Sequence, residues 1–87
     1  MEKDGMEKGK EFDYYGELQY EGEYLNWERN GNGKEYNKYG VLEFEGEYLN
    51  GKRCNGKEKE YNYHGKLIFA GEYLNGKRNG KSKRISW

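Results

Sequence analysis

One motif of eleven residues recurs three times: GELQYEGEYLN from Gly16, GVLEFEGEYLN from Gly40 and GKLIFAGEYLN from Gly65. Self-similarity at a period near 25 residues is the mark of stacked supersecondary units. Each is too small to bury its apolar face alone and does so against its neighbours. Such a chain builds an extended surface and leaves little room for an enclosed reaction centre.

Within the motif the period is two. Leu42, Phe44, Gly46 and Tyr48 alternate with Glu43, Glu45 and Glu47, and the same rows recur as Leu18, Tyr20, Gly22, Tyr24 and as Leu67, Phe69, Gly71, Tyr73. This is the pattern of a strand with one dry and one wet face. The strands run into Asn50-Gly51-Lys52-Arg53 and Asn75-Gly76-Lys77-Arg78. Asn-Gly is a hairpin signal because both residues tolerate positive φ. A second strand follows, such as 57–63, and closes on a tight turn at Tyr39-Gly40 or His64-Gly65. The glycine density and the lack of a 3.6-residue period disfavour helices. The expected fold is all-β: a single elongated, twisted antiparallel meander sheet of about seven strands, built from tandem β-hairpin repeats. Residues 1–87 form one domain, with a partial repeat over 1–15 and repeats over 16–39, 40–64 and 65–87.

The chain is 32% hydrophobic and 37% charged, so its ten Tyr, three Phe and two Trp must supply much of the packing. One aromatic side chain buries ~150–250 Å². Mean hydropathy of −1.48 would suit a disordered chain, but the fixed registry of rings and glycines argues for order. Net charge is zero and indicates no class of partner. A single cysteine excludes an internal disulfide framework and a multi-cysteine zinc site. No apolar run approaches the ~18 residues of a membrane helix, and no signal-peptide core follows Met1. The expectation is therefore a cytoplasmic protein that is not integral to a membrane.

The strands Tyr20-Glu21-Gly22-Glu23-Tyr24, Phe44-Glu45-Gly46-Glu47-Tyr48 and Phe69-Ala70-Gly71-Glu72-Tyr73, each followed by a Gly-Lys-rich turn, resemble the MORN (membrane occupation and recognition nexus) repeat. The resemblance spans nearly the whole chain after Lys8. It departs where Tyr24, Tyr48 and Tyr73 stand in place of the family's usual Trp, where Trp27 replaces a turn glycine, and where Cys54 is inserted before Asn55-Gly56. It implies an elongated twisted sheet with a groove, used mostly in protein assembly and scaffolding, with phospholipid binding also proposed.

Unbroken alternation in every strand sorts the charges. Lys8, Lys10, Lys34, Lys57 and Lys59 fall with the rings, whereas Glu21, Glu43, Glu45, Glu47, Glu60 and most other carboxylates fall behind them. The expected result is a two-faced plate, with an aromatic, lysine-rich groove on one side. Tyr24, Tyr36, Tyr48, Tyr61 and Tyr73 form its floor. Tyr36 or Tyr61 covers the slots left by Gly22, Gly46 and Gly71, since aromatic cover over a strand glycine is a known packing device. Arg53, Arg78 and Trp27 sit on the turn rim as peripheral anchors. Trp27 is the sharpest anomaly, because Trp and Arg are the residues most enriched at interface hot spots. Trp87 is read as a lid over the last strand.

Catalytic components are missing. The chain has one His, one Cys and no Thr. His64 falls where other copies have Tyr15 and Tyr39, which reads as a surface turn, and Cys54 reads as a loop thiol. No catalytic, cofactor or metal site is expected. The reading is a non-enzymatic protein-binding or scaffold module that uses the aromatic groove. One alternative is a small inhibitor or effector, for instance a phage or pathogen anti-host protein, that blocks a nucleic-acid or other basic site with Glu21, Glu43, Glu45, Glu47 and Glu60. Another is binding of anionic lipid or nucleic acid by the basic face. Edge strands offer a further mode, through self-association or strand addition.

Overall fold

The computed structural model describes residues 6–79 and 83–84. Met1–Gly5 and the expected lid at Trp87 lie outside the described residues. The chain forms strands β1 (Glu7–Phe12), β2 (Leu18–Leu25), β3 (Glu28–Tyr36), β4 (Leu42–Leu49), β5 (Lys52–Tyr61), β6 (Leu67–Leu74), β7 (Lys77–Arg78) and β8 (Lys83–Arg84). They pair antiparallel in the order β1-β2-β3-β4-β5-β6-β7, and β8 also pairs with β6. The sheet is thus an open meander with seven strand positions. Its extents of 51 × 33 × 13 Å are those of a single layer.

Two kinds of turn alternate along the meander. At one end Asn50-Gly51 and Asn75-Gly76 adopt positive φ at both residues (53° and 84°, 53° and 85°), the backbone twist that matches flanking strands. At the other end Asp13, Asn37 and Asn62 build the turns. The side-chain oxygen of each accepts two backbone N–H groups: Tyr15 and Glu17 for Asp13, Tyr39 and Val41 for Asn37, His64 and Lys66 for Asn62. A short polar side chain that mimics a backbone turn suits this position.

The second strand of each hairpin begins directly after the turn, so β5 covers Lys52–Tyr61 rather than 57–63. It is also interrupted. Glu47 pairs with Asn55 and Tyr48 with Arg53, which leaves Cys54 as the extra residue of a bulge. A second set of bulges recurs at the far ends of β1, β3 and β5. Glu35 pairs with Phe44 while Tyr36 pairs with Leu42, so Glu43 is extra. Bulges re-aim side chains.

This register overturns the two-faced plate. Directly opposed residues of neighbouring strands share a face. Glu11 lies opposite Tyr20, Glu35 opposite both Tyr20 and Phe44, and Glu58 opposite Phe44 and Gly71. These carboxylates belong to the ring face. Lys10 lies opposite Glu21, Lys34 opposite Glu21 and Glu45, and Lys57 opposite Glu45 and Glu72. The lysines stand behind the rings, in rows alternating with glutamate. Alternation holds between the bulges, but the lysine strands sit one residue out of the phase expected for them. The segregated arrangement would set like charges opposite one another, which destabilises a sheet.

Candidate functional site

The ring face is closed by the chain's own side chains. Tyr24, Tyr20, Tyr48, Phe44 and Tyr73 form a zigzag of edge-to-face contacts with centroids 5.1–5.6 Å apart, within the favoured range for such pairs. The rings come from β2, β4 and β6 and meet over the intervening strands, which is possible because those strands carry glycine there. A Cβ on Gly33 would lie 2.5 Å from the Tyr20 ring, one on Gly56 2.7 Å from Phe44 and one on Gly9 2.9 Å from Tyr24. Aromatic cover of glycine is therefore present, but the covering rings are Tyr20, Tyr24 and Phe44 and not Tyr36 or Tyr61. Tyr36 lies on the opposite face, where its hydroxyl donates to Glu21 at 2.7 Å. Tyr61 stands opposite Leu67, past a bulge. The expected tyrosine floor is thus divided between two faces.

Over the rings runs a continuous ladder of alternating acid and base. Arg29 makes a two-pronged contact with Glu11 at 2.7 and 2.9 Å and approaches Glu35 at 3.6 Å. Arg53 bridges Glu35 at 2.7 Å and Glu58 at 2.9 Å, and Arg78 donates to Glu58 at 2.9 and 3.0 Å. Each guanidinium also stacks on a ring: Arg29 is 4.3 Å from Tyr20, Arg53 4.6 Å from Phe44 and Arg78 5.1 Å from Phe69. Planar guanidinium suits both tasks in a way that lysine does not. Tyr24 and Tyr48 donate their hydroxyls to Glu11 and Glu35 at 2.7 and 2.6 Å. The outcome is that Tyr20 and Phe44 are fully buried although, among the described residues, the sheet has no second layer. Arg53 is thus an internal strut of this face rather than a rim anchor, whereas Arg78, bonded to Glu58, remains half exposed at the last hairpin.

Titration reflects the ladder. Its bonds to Arg29 and Tyr24 outweigh burial and hold Glu11 below the ordinary carboxylate range. Burial acts to raise Glu35, yet hydrogen bonds from Arg53 and Tyr48 and the charges of Arg53 and Arg29 hold it low as well. Burial pushes Tyr20 up to about 12, and burial together with the Glu35 carboxylate raises Tyr48 further. Glu43, the extra residue of its bulge, is raised by burial and by Glu35, Glu60 and Glu58, with Arg53 opposing. Glu43 therefore belongs electrostatically to the ring face, and Glu60 lies opposite Phe69 there. Glu21, Glu45 and Glu47 occupy the other face, so the expected acidic set is not one surface.

Behind the rings lies a groove of about 800 Å³. Gly9, Gly22, Gly33 and Gly46, paired in series across four strands, lie along it. Lys8, Lys10 and Lys34 line it together with Glu21, Glu23 and Glu45. The sheet's groove is therefore mixed in charge and lined by no aromatic ring. Among the described residues, every buried side-chain polar atom has a partner, and no three His, Cys, Asp or Glu side chains converge as a metal site. No helix there is long and apolar enough to cross a membrane.

What remains open is at the turns. Trp27 is 96% exposed and has φ of 70° where the other hairpins place glycine. Leu49 and Leu74 are exposed at the strand ends leading into the two other hairpins of that rim. At the opposite end Tyr14, Tyr15, Tyr39 and Tyr63 are exposed in successive turns, with His64 against Tyr63 at 4.2 Å. This second aromatic rim was foreshadowed by the recurring Asx-X-aromatic/His-Gly spacing of Asp13–Gly16, Asn37–Gly40 and Asn62–Gly65. No protein-family model, no curated protein and no solved structure matches this chain.

Proposed function

We propose that this protein is a non-enzymatic protein-binding or scaffold module that engages its partner through the exposed aromatic turns, with Trp27 as the principal anchor. The carrying observation is the state of Trp27. A bulky side chain at positive φ is an outlier, and the strain secures no packing, because the ring is 96% exposed. A residue that costs the fold free energy and contributes nothing to it internally is most simply retained for an external contact. The ring face is an unsuitable docking floor, since its own arginines and glutamates already cover it. The MORN resemblance points in the same direction, toward assembly rather than catalysis.

The test is affinity capture with quantitative mass spectrometry, comparing the wild-type chain, Trp27→Gly and a Tyr14→Ser/Tyr39→Ser/Tyr63→Ser variant. The reading expects a partner enriched by wild type and lost with Trp27→Gly. A set of captured proteins identical across all three refutes it.

A further inference from the structure

We infer that the free edge of β1 is a docking site for an extended acidic segment of the form aromatic-Glu-Gly-Glu-aromatic, which would add as one further antiparallel strand. The template lies inside the molecule. β3 carries Gly33-Lys34-Glu35 and is flanked on both sides by such a strand: Gly22, Glu21 and Tyr20 on one edge, Gly46, Glu45 and Phe44 on the other. β1 carries the same tripeptide, Gly9-Lys10-Glu11, but meets Gly22, Glu21 and Tyr20 on one edge only. It is the terminal strand of the sheet, so among the described residues nothing pairs with its outer backbone groups.

The charges on this edge select the occupant. Lys8 and Lys10 are exposed and, although Glu23 and Glu21 stand opposite them, among the described residues neither has a carboxylate at ion-pair distance. On the ring face Glu11 holds one arginine, whereas Glu35 and Glu58 each contact two. A second copy of the chain does not fit. Two β1 edges meeting antiparallel with faces matched would set lysine beside lysine on one face, and Glu7 and Glu11 beside their counterparts on the other. Like charges directly opposite destabilise a ladder, and charged edges are a known guard against such pairing. An acidic strand of the repeat type meets neither penalty. Its glutamates fall opposite Lys8 and Lys10, its glycine opposite Gly9, and its rings extend the zigzag beyond Tyr24. Main-chain hydrogen bonds then supply affinity and the alternate side chains supply selectivity.

A fluorescein-labelled peptide with the sequence of Leu42–Leu49 (LEFEGEYL) serves as the probe, titrated by anisotropy against the intact chain. Saturable binding is expected, with amide shifts in a ¹⁵N spectrum concentrated on Glu7–Phe12. Replacing both glutamates that flank the peptide's glycine by lysine should weaken binding about tenfold, as should Lys8→Glu/Lys10→Glu in the protein, because two attractive cross-strand pairs are replaced by repulsion. The lysine peptide should regain affinity for the Lys8→Glu/Lys10→Glu protein, which also shows that the variant is folded. Trp27→Gly should leave the titration unchanged, so this result and the partner-capture result can fail separately. Absence of saturable binding, shifts centred in the groove or on β7, or affinity indifferent to both charge changes overturns the inference.

Discussion

Replacing Trp27 by glycine should make the protein more stable while abolishing capture of its partner. The residue sits at φ 70°, in the left-handed region. That region costs an L-residue ~1–2 kcal/mol. Glycine removes this cost but returns roughly 0.5–1 kcal/mol as greater entropy of the unfolded chain. Loss of ring burial adds little. At 96% exposure, about 10 Å² of an aromatic surface of ~150–250 Å² is covered, worth ~0.2 kcal/mol at ~25 cal/mol per Å². The balance favours the variant by about 0.5 kcal/mol, or a rise in Tm of ~2–4 °C for a domain of this size. Trp27→Ala keeps a Cβ at positive φ and should lie within ~0.5 kcal/mol of wild type. Urea unfolding followed by circular dichroism measures both. A loss of more than ~1 kcal/mol in Trp27→Gly would mean that the ring packs within the fold, and the argument for an external anchor would fall with it.

Three further outcomes follow from the ladder and the close approaches. Glu58, whose side chain is 6% exposed, binds both Arg53 and Arg78, so Glu58→Gln should cost ~2 kcal/mol by weakening charged hydrogen bonds to two guanidiniums, while Arg53 keeps Glu35; Glu11→Gln, at 41% exposure, should cost ~1 kcal/mol or less. Equal losses in urea melts would contradict the ladder. Gly46→Ala should cost more than ~3 kcal/mol or prevent folding, because the new methyl would run into the Asn55 and Gly56 backbone; Gly16→Ala meets no atom but keeps φ at 84° and should cost ~1 kcal/mol, a difference readable by thermal melts. Glu11 and Glu35 have depressed pKa values in the fold, so their stabilisation is present above the unfolded carboxylate value and lost as pH falls below it. Tyr24 and Tyr48 are raised above 10.0, so theirs is present below pH 10.0 and lost above it. Stability against pH should therefore form a plateau that drops at both ends, and a curve flat to pH 2 would refute it.

Local structure was legible in the sequence because it depends on local rules. The period of two in Leu42–Tyr48 requires a strand, and the Asn-Gly pairs require hairpins at fixed places. Meander order follows from their spacing. The face assigned to each lysine was not legible. It depends on cross-strand register, and bulges that the alternation does not announce, at Cys54 and Glu43, break the count. The insertion of Cys54 was visible as a spacing anomaly; the extra residue at Glu43 was hidden inside a regular repeat.

The site divides in the same way. Trp27 stood out at once, as a residue of the wrong kind in a turn whose chemistry is known. Arg53 and Arg78 looked like rim residues because they follow turns. Their partners, Glu35 and Glu58, lie elsewhere in the sequence and come within reach only when the strands stack. By itself the sequence determined the elements: strands, turns and their order, with the rings of the Leu-aromatic-Gly-Tyr rows on one face, while Tyr36 and Tyr61 were misplaced among them. Tertiary structure alone decided which charges share a face with those rings, since that is set by backbone hydrogen bonding between strands. A shift of one residue there moves every side chain of a strand to the other side.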